Sequence, residues 1–170
     1  MSETLARWNR LRPTDAAKDI LPCCGSTAWA AGMAARRPFS DEASLLAASD
    51  ETWRNLATAD WREAFRGHPR IGESRASQPA PAQSSAWSKQ EQQSVAAAGE
   101  MVKIDLARAN DEYERRFGHI FIVCATGKSG PEILEILRRR LRNDPATELQ
   151  EAAKQQLLIT HIRLKKWLSQ

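Results

Sequence analysis

The sequence predicts an all-α fold: a single-domain, compact helical bundle with one lone extended segment near residues 119–125. Three observations carry that prediction. Apolar residues recur at three- and four-residue spacing along most of the chain. Ser, Asp and Pro stand before the periodic runs, and Gly stands after one of them, as helix starts and stops require. Only HIFIVCA, residues 119–125, reads as a strand, and no second run pairs with it.

The elements follow in order. Residues 26–35 and 41–58 are Ala- and Leu-rich with apolar positions at helical spacing. Ser40 or Asp41 can cap the second, and Asp60 can cap a short helix through Phe65. Residues 73–86, ESRASQPAPAQSSA, have no periodicity and are too long for a simple connection, so a flexible lid or a linker is expected there. A long helix is expected from about Lys89 to Phe117, with Gly118 to stop it. Another begins near Pro131, a residue suited to a first turn, and Glu135 and Arg139 on it form an i,i+4 pair. The last helix follows Asp144-Pro145, with a stripe of Leu149, Ala153, Leu157, Thr160, Leu164 and Trp167. The extended segment leaves amides and carbonyls that need partners. It is either a ligand-binding edge or a buried connector tied to helix ends.

Composition excludes several classes. A chain of 170 residues suits one domain with a real core. Hydrophobic residues are 42% and charged residues 27%, ordinary values for a globular protein. The net charge of +4 comes from scattered arginines. Arg138, Arg139, Arg140 and Arg142 lie within an apolar repeat of Ile133, Leu134, Leu137 and Leu141, which reads as a solvated helix face. No aromatic or groove-reading feature accompanies them, so no nucleic-acid partner is expected. No apolar run approaches the length of a membrane span. Three cysteines, Cys23, Cys24 and Cys124, without a secretory pattern or a peroxisomal tripeptide, suggest a reduced, cytoplasmic protein.

Familiar catalytic motifs fail. GKS at 127–129 lacks the upstream glycine of a phosphate loop, because position 122 is Ile. The cysteines form no C-x-x-C pair, His68, His119 and His161 lack metal-ligand spacing, and no G-x-S-x-G elbow exists. No cofactor or metal is expected.

Three features survive. His68 stands in GHPRIG, residues 67–72, where Pro69 holds it out of helical backbone. It is a ring presented to a cavity or an ordinary loop residue. Ser88 and Glu91 have the S-x-x-E spacing of a capping box. The same helix start would favour an anionic ligand, and Glu91 could act on a proton. Arg163 stands at the edge of the last helix's stripe, where an arginine either snorkels outward or turns into a pocket to hold a carboxylate or carbonyl. Cys23 and Cys24 read as core residues.

GHPRIG, W-S-x-x-E-Q, N-x-x-Y-x-x-R-F-G and F-I-V-C-A-x-G-K-S, in that order and followed by the terminal HIRLKKW helix, resemble the 2-oxo-4-hydroxy-4-carboxy-5-ureidoimidazoline (OHCU) decarboxylases. The resemblance runs from CCGS at 23–26 to residue 167. It implies an all-helical, cofactor-free enzyme of uric acid degradation that makes (S)-allantoin from a small ureidoimidazoline substrate. It implies that His68 is catalytic with Glu91 as its acidic partner. It implies that Pro69, Ser88 and Gln92 contact substrate, that Phe121, Ile122, Val123, Cys124 and Ala125 bind it through their backbone, and that Arg163 is a pocket arginine. Members of the family are often homodimers, and the sequence marks no interface. Two other classes remain open on the residues: a helical binding module, and a cofactor-free hydrolase of a related ureido compound.

Overall fold

The computed structural model describes residues 2–73 and 78–170. Its described residues are all-α, with ten α-helices and no strand. They fall into two units, one of Met1–Ala64 with Leu157–Gln170, the other of Phe65–Gln156.

In the first unit, α1 (Glu3–Asn9) starts where the Ser2 side chain accepts the Leu5 amide. α2 (Pro13–Ile20) has proline in its first turn and runs into a 3-10 turn at Leu21–Cys23. Gly25 (φ 89°) then reverses the chain in a conformation that L side chains avoid. α3 (Thr27–Ala35) is capped by Ser26, and α4 (Glu42–Arg54) by a reciprocal Asp41–Ser44 box. The core is aromatic. Trp8 stacks on Phe39 at 6.0 Å and meets Trp167 edge-on at 5.5 Å, while its indole N–H donates to the Ala16 carbonyl. Trp53 and Trp61 stack at 5.8 Å. α5 (Thr58–Arg66) begins two residues before Asp60; Asp60 lies in its first turn and accepts the Ala57 amide.

The second unit holds α6 (Ala82–Glu91), α7 (Gln93–Ala96), α8 (Glu100–Phe117), α9 (Gly130–Arg140) and the first half of α10 (Pro145–Leu168). Leu106, Tyr113, Phe117, Phe121, Val123, Ile133 and Leu137 form its core. Each such apolar side chain removed from water stabilises the unit by about 1.5–3 kcal/mol. Gly118 stops α8 with φ 71°, as expected. Pro131 lies in the first turn of α9, behind a Ser129–Glu132 capping box. The Asp144 carboxylate accepts the Ala146 and Thr147 amides at the head of α10.

Four expectations are corrected here. The helix expected over 89–117 is three helices, because Ala96, Ala97 and Gly99 are exposed and nothing buried holds a continuous rod through a glycine that costs about 1 kcal/mol in a helix interior. Ser88 and Glu91 are not a capping box: they lie in the last turn of α6, which starts at Ala82. Residues 119–125 form no strand; the chain there is irregular and mostly buried. Of the expected lid 73–86, residues 82–86 are the opening turns of α6 with Ser84 buried, and 74–77 lie outside the described residues.

The arginine run also divides. Arg138, Arg139 and Arg142 are exposed, but Arg140 is buried with Glu148, so only part of that run is a solvated face. The stripe of α10 is likewise less apolar than expected. Its most buried positions include Glu148, Gln156, Thr160 and Arg163, with Leu149 and Leu157 only half-buried.

Candidate active site

The loop after α5 carries His68. Its amide donates to the Phe65 carbonyl, closing the last turn of α5, and Pro69 cannot continue that helix. Arg70 then clamps the loop to α8: its Nε donates to Glu114 at 2.5 Å and its Nη1 to Asp111 at 2.9 Å. The hydrogen bond to Glu114 is the main cause that raises the Arg70 pKa above its ordinary value. The Ile71 carbonyl accepts from Asn110 Nδ2 at 3.0 Å. Gly72, at φ 91°, turns the chain back, and its amide donates to Gln92 Oε1 at 2.9 Å.

His68 itself is buried, 8% exposed, with its Nε2 at 2.8 Å from Gln156 Oε1. A solvated loop histidine would not look like this. Gln156 was missed in the sequence because it follows another glutamine in a helix of mixed polarity. Its phase was the available signal: it falls one turn after Ala152 and one before Thr160, both buried.

The segment 120–125 answers where its polar backbone goes. Cys124 N–H donates to Gln155 Oε1 at 3.0 Å, and the Cys124 carbonyl accepts from Lys128 Nζ at 2.9 Å. The Ile122 carbonyl accepts from Arg140 Nη1 at 2.6 Å, and the same guanidinium lies 4.7 Å over the Phe121 ring. Arg140 is fixed in turn by Glu148 Oε1, at 2.9 Å from Nε and 2.6 Å from Nη2. Tyr113 and Asn143 also donate to that carboxylate. Burial pushes the Tyr113 hydroxyl well above its usual range. Buried ion pairs of this kind fix geometry more dependably than they add stability. Side chains, not a second strand, therefore hold the extended segment. Among the described residues none bonds to the backbone of Val123, which is buried in the middle of the segment.

Glu91 ends α6 and is half-buried, while Ser88 one turn earlier is 2% exposed. Burial raises the Cys124 thiol, with Lys128 opposing, and the negative charge of Glu91 adds to the rise. The carboxylate thus lies within electrostatic reach of the 121–125 segment. Gln92 spends its side-chain oxygen on Gly72. A groove of about 410 Å³ is lined by Gly72, Glu73, Lys89, Gln92, Val95, Ala96 and Lys103. His68 is not in that lining.

The structure therefore ties His68, Pro69, Gln92 and residues 121–125 into one unit, together with Ser88 and Glu91. Arg163 belongs to the other unit. It does not snorkel: it is 1% exposed, and its Nη1 lies 3.4 Å from the Pro22 carbonyl. In the same unit, burial raises the Cys24 thiol pKa to about 12, and that of Cys23 further, so both are core residues. Among the described residues no cluster of His, Cys, Asp and Glu could hold a metal ion, and no helix is long and apolar enough to cross a membrane.

A family model for OHCU decarboxylase matches residues 9–165, drawing on both units. The chain is 35% identical over 151 residues to the uric acid degradation bifunctional protein TTL of Arabidopsis thaliana, covering 86% of this chain but only 45% of that protein. It is 31% identical over 137 residues to the 2-oxo-4-hydroxy-4-carboxy-5-ureidoimidazoline decarboxylase of Amia calva, covering 80% of this chain and 77% of that one. A crystal structure of an OHCU decarboxylase in the presence of (S)-allantoin superposes with a TM-score of 0.77 at 32% identity, covering 89% of this chain and 99% of that one. An (S)-allantoin synthase structure, 14% identical, shares the fold with a TM-score of 0.72 over 96% of this chain and 53% of its own. The chain belongs to the OHCU decarboxylase family.

Proposed function

We propose that this chain decarboxylates 2-oxo-4-hydroxy-4-carboxy-5-ureidoimidazoline to (S)-allantoin, with His68 and Glu91 moving the protons. The observation that carries the reading is His68: a buried ring on a loop clamped by Arg70, in a chain of this family.

The substrate supplies its own electron sink. The bond from C4 to the carboxylate breaks and carbon dioxide leaves. The bonding pair becomes a C4–C5 double bond, and the pair of the C5–N double bond passes to the ring nitrogen, which takes a proton. The resulting enol then loses its hydroxyl proton while C5 gains one, which restores the carbonyl. One proton is consumed overall. The face of C5 that is protonated decides the enantiomer. Water could deliver a proton to either face, whereas a fixed imidazole delivers to one. In this reading His68 is the donor to C5, and Glu91 accepts the proton of the 4-hydroxyl.

The planar ureido and ring amide groups need matching donors and acceptors. The buried backbone of Val123 offers both, and the hold of Arg140 on Ile122 and Phe121 keeps it in place. Ser88 and Gln92 flank Glu91 as further contacts.

Freshly generated substrate and circular dichroism test the reading. Accelerated decay with a build-up of (S)-allantoin is expected. Racemic product at the spontaneous rate would refute it, and ring-opened product with release of ammonia would identify a hydrolase instead.

A further inference from the structure

We propose that Gln156 is a positioning residue: its carboxamide oxygen holds the proton of His68 on Nε2, so that Nδ1 is the nitrogen that exchanges a proton with substrate. The inference rests on the reading of His68 as proton donor.

The geometry is direct. Gln156 is fully buried on α10, and its Oε1 lies 2.8 Å from His68 Nε2 across 88 residues of sequence. An amide oxygen can only accept, so the imidazole nitrogen facing it must carry hydrogen. In the neutral ring the lone pair is then on Nδ1. The His68 amide donates to the Phe65 carbonyl at 3.1 Å, which fixes the backbone that carries the ring. Gln156 is held on a well-anchored helix: its neighbour Gln155 receives Cys124 N–H and donates to Glu151. Two successive glutamines thus tie His68 and the 121–125 segment to the same turn of α10.

The choice of a carboxamide matters. A carboxylate in this place would also fix the ring, as the acid of a serine-protease triad does, but it would stabilise the imidazolium. A histidine that must give its proton to C5 gains from a partner that orients it without retaining the charge. The amide oxygen accepts from Nε2–H in both the neutral and the protonated ring, so one hydrogen bond persists while Nδ1 loses and regains its proton.

The test uses the full chain labelled with 15N-histidine. His68 is identified among the three histidines by its absence in His68→Asn. Wild-type protein is expected to show His68 as the Nε2–H tautomer. Gln156→Leu and Gln156→Met, both apolar and of similar size, are expected to mix the tautomers. Both should lower kcat by about 10- to 100-fold, because a misplaced donor loses proximity and orientation. KM should stay within about twofold and the product should lose part of its (S) excess. Gln156→Glu, which keeps an acceptor oxygen, is expected to restore the Nε2–H tautomer and the (S) excess. An Nδ1–H tautomer in wild-type protein would overturn the proposal, whatever the variants do. So would wild-type kcat and stereochemistry in Gln156→Leu or Gln156→Met. Racemic product from wild-type protein would instead overturn the decarboxylase reading, and the tautomer measurement would still decide the role of Gln156.

Discussion

The loop at 67–72 and the turn at 88–92 carry the two proposed acid–base residues, and they are built in opposite ways. The loop is held from several sides. Arg70 binds Glu114 and Asp111, Asn110 binds the Ile71 carbonyl, and Gln156 meets the His68 ring. The turn is the C-terminal end of a helix. Glu91 is its last residue, half-buried, and Gln92 ties it back to the loop through Gly72. The difference matches the two tasks. A proton donor that decides one face of a carbon needs a fixed ring. A carboxylate that takes a proton from a hydroxyl can work from the end of a helix.

The comparison is tested most strongly at the loop. His68→Asn is expected to lower stereospecific turnover by roughly two to four orders of magnitude, the range for a lost general acid. The (S) excess should vanish with it, as read by circular dichroism of the product. Because His68 is buried against Gln156, the fold should also lose about 1 kcal/mol, measured as a lower urea midpoint. Retained (S) excess would remove the histidine from the mechanism.

At the turn, Glu91→Gln should lower turnover by about two orders of magnitude with little change in stability. No helix cap is at stake, since Glu91 closes α6 rather than opening a helix. If turnover is unchanged, the carboxylate does no proton work and the asymmetry between loop and turn has no catalytic meaning.

Arg70→Ala sharpens the comparison without touching either reacting group. The pairs with Glu114 and Asp111 are partly exposed, so their loss should cost only about 1 kcal/mol. Turnover should fall roughly tenfold, because a misplaced donor loses proximity and orientation. The product should lose part of its (S) excess. A stability loss with unchanged stereochemistry would show that the clamp serves the fold and not the orientation of His68.

The sequence reads well where the signal is local. Gly118, Pro131 and Asp144 punctuate helices where they were expected to, because a glycine in left-handed backbone, a proline in a first turn and an Asx cap act over four residues or fewer. GHPRIG likewise marked a constrained histidine through its proline. What failed was long-range. The burial of Arg140 depends on Glu148, Tyr113 and the Ile122 carbonyl, none of which its own neighbours reveal. The bond from His68 to Gln156 spans 88 residues. For 119–125 the sequence asked for partners without naming them, and Gln155, Arg140 and Lys128 supply them to Ile122 and Cys124 from side chains distant in sequence or beyond the next turn.

The smallest expected effect concerns a motif that occurs twice. S-x-x-E stands at 88–91 and at 129–132, and only the second caps a helix. There the chain arrives through Gly127 at φ 78° and enters α9 with proline in the first turn, so Ser129 meets orphan amides. At 88 the helix is already two turns old. The Ser129 amide, followed by the Ser129 hydroxyl, holds the Glu132 carboxyl below its ordinary value of 4.5. A lowered folded pKa means that the contribution is complete above the unfolded value and is lost as pH falls through the folded one. Glu132→Gln should therefore be less stable than the native chain at neutral pH, and the difference should shrink as pH falls below about 4.5 and the native carboxylate is protonated. Ser129→Ala should cost about 1 kcal/mol and speed hydrogen exchange at the Glu132 amide, which the serine oxygen accepts. Ser88→Ala should leave exchange at the Glu91 amide unchanged, since that amide is already inside a helix. Faster exchange at Glu91 would restore the first S-x-x-E as a cap and place the start of its helix where the sequence had suggested.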